Sequence, residues 1–453
     1  MEAGSRGLEP GQGTTEALTA ADALRLATAL HQQGRLSDAE ALYRRILEAV
    51  PEDPGAMHFL GVLRHQLGYD EEGLSLIRRA LQVDPSYADA HCNLGNVLKQ
   101  LGRFEEAQGC YRHVIRLEPR HAGAHNNLGV VLKVQGRLEE AEAAYRRAIA
   151  LHPDHADAHH NLGNVLKRQG RLAESLGAYR RAIALNPRHA DARKFLGLAL
   201  RAAGRVEEAV AVFRDWASCE PENPVARHLF AACAGGDAPP RASDAYVATV
   251  FDRLADSFDE HLADLEYHAP ALVAEAVRRA APGPAGALDV LDAGCGTGLC
   301  GAFLRPYARS LSGVDLSPGM LARARRLSVY DELFQAELTG FLGEILARYD
   351  LIVSADTLCY FGDLEAVFAA AQRALRPGGL LVFTVERQAE AGPGFRLEPH
   401  GRYTHGETYV CRALSEAGLV VESAEGAVLR KEAGEPVEGL VFTARRATSP
   451  VGP

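Results

Sequence analysis

Residues 292–298 read Asp-Ala-Gly-Cys-Gly-Thr-Gly, three glycines at alternate positions with an acid close ahead of them. Glycine reaches positive φ at little steric cost and carries no Cβ, so such a turn lets main-chain N–H groups approach a ligand closely. An apolar strand, LDVLDAG, runs into the turn and a helix, LCGAFLRPYA, leaves it. Dinucleotide-binding folds also carry a glycine-rich turn here, but as GxGxxG. In this chain the spacing is GxGxG, a second acid (Asp315) ends the next apolar stretch, and an Arg376-Pro377-Gly378-Gly379 turn precedes the fifth. No metal site is expected. The eight cysteines contain no CxxC pair, which fits reduced, mostly buried thiols. His91, His125 and His159 recur every 34 residues. Adjacent helices lie roughly 8–10 Å apart, whereas zinc ligands lie about 2 Å from the ion, so packing is the expected role of these histidines.

The elements that position the turn are short apolar strands separated by helices: LDVLDAG, SLSGVDLS, LFQAEL, YDLIVSAD and LLVFTVE. That alternation predicts a mainly parallel sheet covered by helices on both faces. With those motifs, residues of about 245–446 resemble a class I S-adenosylmethionine-dependent methyltransferase, which implies a Rossmann-like α/β fold with a mostly parallel seven-stranded sheet. By that resemblance Gly294 and Gly296 pass under the methionine part of the cofactor, in a turn shared with Cys295 and Gly298, and Asp292 helps orient the amino group. Asp315 takes both ribose hydroxyls. Met320, after the helix start Ser317-Pro318, covers one face of the adenine. Glu337, expected on the third strand where the family often has Asp, meets the exocyclic amine. Leu316, Leu338 and Ser354 complete the implied cofactor set.

Residues 246–277, helical in period and rich in aromatics, resemble the lid ahead of the fold in predicted methyltransferases fused to tetratricopeptide repeats. Tyr246, Phe251, Phe258 and His261 could close over the sulfonium and exclude water; the alternative is ordinary packing onto the sheet. Methyl transfer needs alignment of donor and acceptor more than a catalytic side chain. The loop after the fourth strand, Ser354-Ala355-Asp356-Thr357-Leu358-Cys359-Tyr360, lacks the NPPY-type tetrapeptide of some amide and adenine methyltransferases. Asp356 and Tyr360 stand where an acceptor proton could be received. Arg402, Tyr403 and His405 lie on an insertion after the fifth strand that could line the pocket, or could serve the fold.

The N-terminal half repeats with a period of 34: Gly34, Gly68, Gly102, Gly136, Gly170 and Gly204, and Pro51, Pro85, Pro119, Pro153, Pro187 and Pro221. Each unit reads as helix, turn, helix. Gly95 and its equivalents are expected to face small residues such as Ala107, with Tyr111, Tyr145 and Tyr179 filling the gaps between units. Residues 20–223 resemble the tetratricopeptide repeat, which implies an all-α superhelical solenoid, and 88–189 are similar to the repeats of O-linked N-acetylglucosamine transferase. Asn93, Asn127 and Asn161 recur at one register, with Lys99, Lys133 and Lys167 six residues later. On the concave face such amides could pair with an extended peptide backbone, or could brace neighbouring helices.

The expected layout is a disordered 1–19, six repeats over 20–223, a capping helix at 224–236, a linker at 237–243, a helical lid at 244–284, the methyltransferase core at 285–447 and a tail at 448–453. Residues 224–453 carry 21 Lys+Arg against 30 Asp+Glu, which disfavours nucleic acid as substrate. No apolar run reaches the roughly 18 residues of a membrane span and no signal peptide is readable, so a cytoplasmic location is expected. The reading is a methyltransferase using S-adenosylmethionine, whose array recruits a protein or peptide. The alternatives are a non-catalytic scaffold with a degenerate cofactor domain and, more distantly, an NAD-dependent dehydrogenase.

Overall fold

The computed structural model describes residues 19–235, 238–255, 258–259, 262, 265–281, 283, 285–388, 394–432 and 434–448. Apart from Thr19, the expected disordered segment lies outside them. The chain forms two compact units, residues 1–189 and 190–453.

In the first unit each 34-residue period is a 13-residue helix followed by a 14-residue helix, for example Ala122–Val134 and Leu138–Leu151. The recurring glycine ends the first helix in the left-handed region, with φ between +71° and +86° from Gly34 to Gly170. Glycine visits that region at little cost where a Cβ would clash. Its N–H and the next residue's N–H then close the helix end, as Gly136 and Arg137 do on the carbonyls of Lys133 and Leu132. The helical glycines do a different job. A Cβ on Gly129 would stand 2.7 Å from the ring of Tyr145, and one on Gly95 2.8 Å from the ring of Tyr111. The tyrosine therefore fills the space against the glycine of its own unit, rather than a gap between units as expected. Tyr43, Tyr111, Tyr145 and Tyr179 are fully buried.

The second unit opens with the sixth helix pair, Ala190–Ala202 and Val206–Cys219, and the helix Pro224–Ala234. The expected array ran to 223, but these helices share a core with the α/β domain: Phe213, Trp216, Val225 and Leu229 pack in one cluster with Tyr246, Leu397 and Tyr403. The segment expected as a linker is fastened too, since Pro240 O accepts from Gly362 N and Asp363 N at 2.9 and 2.7 Å.

The sheet has nine strands: β1 (Leu288–Ala293), β2 (Ala308–Asp315), β3 (Glu332–Gln335), β4 (Tyr349–Ser354), β5 (Leu375–Arg387), β6 (Phe395–Leu397), β7 (Tyr403–His405), β8 (Leu419–Glu432) and β9 (Glu435–Arg446). The order β3-β2-β1-β4-β5 is parallel throughout, and β9 then runs antiparallel to β5 over 380–386 and pairs with β8. Seven strands were expected. The additional pair is the short β6–β7 hairpin, which docks beside Glu386 and Arg387 of β5, beyond the point where the β4 pairing ends at Phe383. The helix Ala269–Ala280, within the span expected as a lid, packs Val273, Ala276 and Val277 against Val290, Leu351, Leu380 and Val382 on the sheet. Among the described residues no helix is long and apolar enough to cross a membrane.

Two glycine substitutions in the first unit should have opposite signs. Gly129→Ala forces a methyl group into the Tyr145 ring and should cost about 1–3 kcal/mol. Gly109→Ala adds the same methyl in an exposed helix interior with nothing within 4 Å and should gain about 0.5–1 kcal/mol. Denaturant titrations followed by circular dichroism measure both.

Candidate functional site

The carboxyl end of β1 delivers the glycine turn, and all three glycines have positive φ: +79° at Gly294, +53° at Gly296 and +99° at Gly298. They differ in what surrounds them. A Cβ on Gly294 would lie 2.1 Å from Thr357 Oγ1, so the loop after β4 presses on that residue; a Cβ on Gly296 would meet nothing within 4 Å. A ligand can therefore approach the backbone at Gly296 closely, although the Gly296 N–H itself is given to Asp315.

Asp315, at the end of β2, ties this turn to the next helix. One oxygen accepts from Gly296 N and the other from Ser317 N, each at 2.9 Å. A carboxylate has about four acceptor positions, so capacity remains for a vicinal diol. Burial pushes the Asp315 carboxyl above its ordinary value against the pull of those backbone bonds. Asp292 is 1% exposed and its carboxylate accepts from the Tyr330 hydroxyl at 2.7 Å. Burial raises it to about 7, and Tyr330 is itself pushed well up.

The other implied cofactor residues take distinct places. Met320 is fully buried, and its N–H donates to Ser317 Oγ, the N-cap of the helix Pro318–Arg326. Glu337 lies beyond β3 rather than on it and caps the helix Leu338–Gly343, accepting from Thr339 N and Gly340 N at 3.0 and 2.7 Å. Leu338 and Cys295 are buried, Leu316 is half-buried, and Ser354 Oγ donates to Ala293 O at 2.9 Å. Burial holds the Cys295 thiol protonated.

Two acids the sequence did not mark make contacts here, Asp252 on the helix Asp244–Leu254 and Asp259 beyond its end. Asp252 accepts from Ser317 Oγ and from Gly319 N, and Asp259 accepts from Thr297 Oγ1 at 2.6 Å. Phe251 stands edge-on to both Phe258 and Tyr360, at centroid distances of 5.8 and 5.4 Å. Tyr246 is elsewhere: it stacks on His228 at 3.9 Å in the core shared with the sixth helix pair. His261 lies outside the described residues.

Asp356 has φ +54°, and both of its oxygens accept from Arg430 Nη1, at 2.8 and 2.9 Å. Arg430 also bonds Glu386 and Glu432, and Arg402 bonds the same two glutamates. Asp356, Cys359 and Glu386 could by spacing hold a cation, but the two guanidiniums already neutralise the carboxylates. Burial raises the Asp356 carboxyl against the opposing effect of Arg430. Tyr360, the second proton-acceptor candidate, is pushed well up by burial. Tyr403 is fully buried and donates to Pro239 O at 2.8 Å; His405 is fully buried, contacts Gly362 O at 3.2 Å and is lowered to about 4, hence neutral.

In the first unit the asparagine amides bridge neighbouring helices. Asn93 Nδ2 meets His58 Nε2 at 2.8 Å, Asn127 Nδ2 donates to Asn96 Oδ1 at 3.2 Å, and Asn161 Nδ2 to Asn126 Oδ1 at 3.1 Å. Burial lowers Lys99, Lys133 and Lys167.

A parallel sheet with a GxGxG turn, a carboxylate at the end of β2 and an antiparallel final strand defines a methyltransferase domain. Residues 265–424 match the methyltransferase-domain family, and tetratricopeptide-repeat families match 20–63, 78–102, 92–156 and 160–224. The chain carries tetratricopeptide repeats followed by a methyltransferase domain. It is 44% identical over 84 residues to methyltransferase-like protein 27 of Homo sapiens, covering 18% of this chain and 34% of that one. It is 35% identical over 139 residues to a malonyl-[acyl-carrier protein] O-methyltransferase of Enterobacter lignolyticus, covering 30% and 52%. The chain thus spans a third to about half of these relatives. Among solved structures, the tetratricopeptide-repeat protein TTC0263 of Thermus thermophilus is 27% identical, with 40% of this chain and 99% of that chain covered and a TM-score of 0.35.

Asp292 carries a pH dependence. A carboxyl raised from its ordinary value to about 7 binds its proton more tightly folded than unfolded, so stability falls as pH rises from about 4 to 7, by up to about 4 kcal/mol. Asp292→Asn should flatten that slope in thermal melts of the ligand-free protein.

Proposed function

We propose that the α/β domain is an S-adenosylmethionine-dependent methyltransferase acting on an acceptor oxygen, and that the repeat array recruits a protein or peptide partner. The observation that carries the cofactor reading is the pairing of an open Gly296 with Asp315. The side-chain-free backbone at Gly296 leaves room for the methionine end, its own N–H being given to Asp315, and the free acceptor positions of Asp315 suit a ribose diol. Asp292 would face the amino group, with Tyr330 setting its orientation. The bound cofactor would supply a methyl carbon activated by positive sulfur. Asp252 ties the helix Asp244–Leu254 to Ser317 and Asp259 ties the following residues to Thr297, and this segment would serve as a lid that helps exclude water. A hydroxyl acceptor would give up its proton on receiving the methyl group, and that proton needs a base. Asp356 suits that role, because burial raises its affinity for a proton while Arg430 fixes its orientation. The oxygen acceptor is supported by the missing NPPY-type sequence and by the similarity to an O-methyltransferase.

For the array, Asn93, Asn127 and Asn161 with Lys99, Lys133 and Lys167 form two rows on successive first helices. Each amide spends one N–H on a neighbouring helix, so recruitment would use the remaining donors and the ammonium groups.

Calorimetry on the full chain tests the cofactor: S-adenosylmethionine should bind and NAD should not. Asp315→Ala should remove charge-assisted bonds to the diol worth about 1.5–3 kcal/mol, roughly 10- to 100-fold in affinity, measured at a temperature where circular dichroism shows the variant folded. Binding of NAD alone would overturn the assignment.

A further inference from the structure

The third and fourth repeats enclose a groove that the rows of asparagine and lysine do not line. It lies between the second helix of the third unit, Phe104–Leu117, and that of the fourth, Leu138–Leu151, over the fourth unit's first helix. Its volume is about 530 Å³, its floor includes Ile115 and Leu128, and its rim carries Arg112, Arg116 and Arg147.

The charge of this groove departs from the pattern of the array. Near the register of Arg112, arginines of other units are neutralised: Arg44 by Glu40 at 2.8 Å, Arg78 by Glu106 at 3.1 Å and Arg146 by Glu142. Glu40 and Glu142 stand four residues before their arginines, where a helix brings side chains together. The equivalent of these glutamates in the third unit is Gln108, a neutral amide. Oriented to accept, its oxygen takes Arg112 Nη2 at 2.8 Å and Arg137 Nη1 at 2.9 Å, so it gathers cations without cancelling them. Glu140 is the acid on the rim, and Arg137 already holds both of its oxygens, at 2.7 and 2.6 Å. Arg112, Arg116 and Arg147 have no carboxylate within 4 Å among the described residues. Burial lowers His125 beside them, and it contacts Pro119 O.

An apolar floor rimmed by three guanidiniums without a directly paired carboxylate is complementary to a segment that alternates carboxylates with leucine-sized side chains. Arginine forks bind carboxylates with two parallel bonds, and charge complementarity around an apolar anchor speeds association and selects the partner. We propose that this groove docks an acidic, apolar-anchored segment of a partner protein, at a site separate from the first-helix rows.

The probe is a fluorescein-labelled peptide of glutamates interrupted by leucines, titrated into the full chain and read by anisotropy. Saturable binding that weakens with added salt is expected. The double variant Arg116→Glu/Arg147→Glu should weaken it by at least about tenfold, that is about 1.4 kcal/mol or more, with the circular dichroism spectrum unchanged. Arg147→Lys should keep most of the affinity. Replacing the peptide's leucines by serine should also abolish saturation. Undiminished binding to the double variant would overturn the proposal, as would full binding of the serine peptide. Loss of binding on replacing Lys99, Lys133 and Lys167 by alanine, with the double variant unaffected, would move the segment to the other face and overturn it equally.

Discussion

The second unit depends on one carboxylate. Asp315 accepts two backbone N–H groups, one from the glycine turn after β1 and one from the start of the helix after β2. Those bonds set two neighbouring loops at a fixed spacing, with the open Gly296 between them. Hydrogen bonds to a charged acceptor exceed neutral ones in strength, but the group has been partly withdrawn from water, and its raised proton affinity records that cost. Residues before the sheet continue the same arrangement, since Asp252 fastens on Ser317, the cap of that helix, and Asp259 on Thr297 of the turn.

A second constraint sits at the other side of the site. Asp356, Glu386 and Glu432 are held by Arg402 and Arg430 in one ionic network. Breaking a buried network of this kind leaves a charge without a partner, which is expensive. The unusual backbone of Asp356 persists because Arg430 holds its carboxylate and Thr384 its N–H, at 2.8 Å. The loop after β4 is thereby fixed, and its Thr357 in turn presses on Gly294. The loop after β4 and the glycine turn are thus connected through contacting side chains.

In the repeats, regularity is kept by steric contact. The glycine–tyrosine contact recurs in the third, fourth and fifth units. Gln108, standing where two other units have glutamate, changes the charge of one groove without disturbing packing, because glutamine and glutamate are nearly equal in size.

Much of this was legible in the sequence because it depends on local spacing. A period of 34 with glycine at each helix end specifies helix pairs, since each position needs a particular backbone angle. The GxGxG turn and Asp315 are likewise written within a short strand–turn–helix segment. What the tertiary structure decided involves residues distant along the chain. Arg430 meets Asp356 across 74 positions, and Tyr330 meets Asp292 across 38. Glu337 proved to be a helix cap, and the asparagine amides reach across to the next helix. Trp216 joins the sixth helix pair to the core of Tyr246 and Tyr403. Sequence periodicity reports which face of an element is buried; which partner covers that face is settled only when the whole chain has packed.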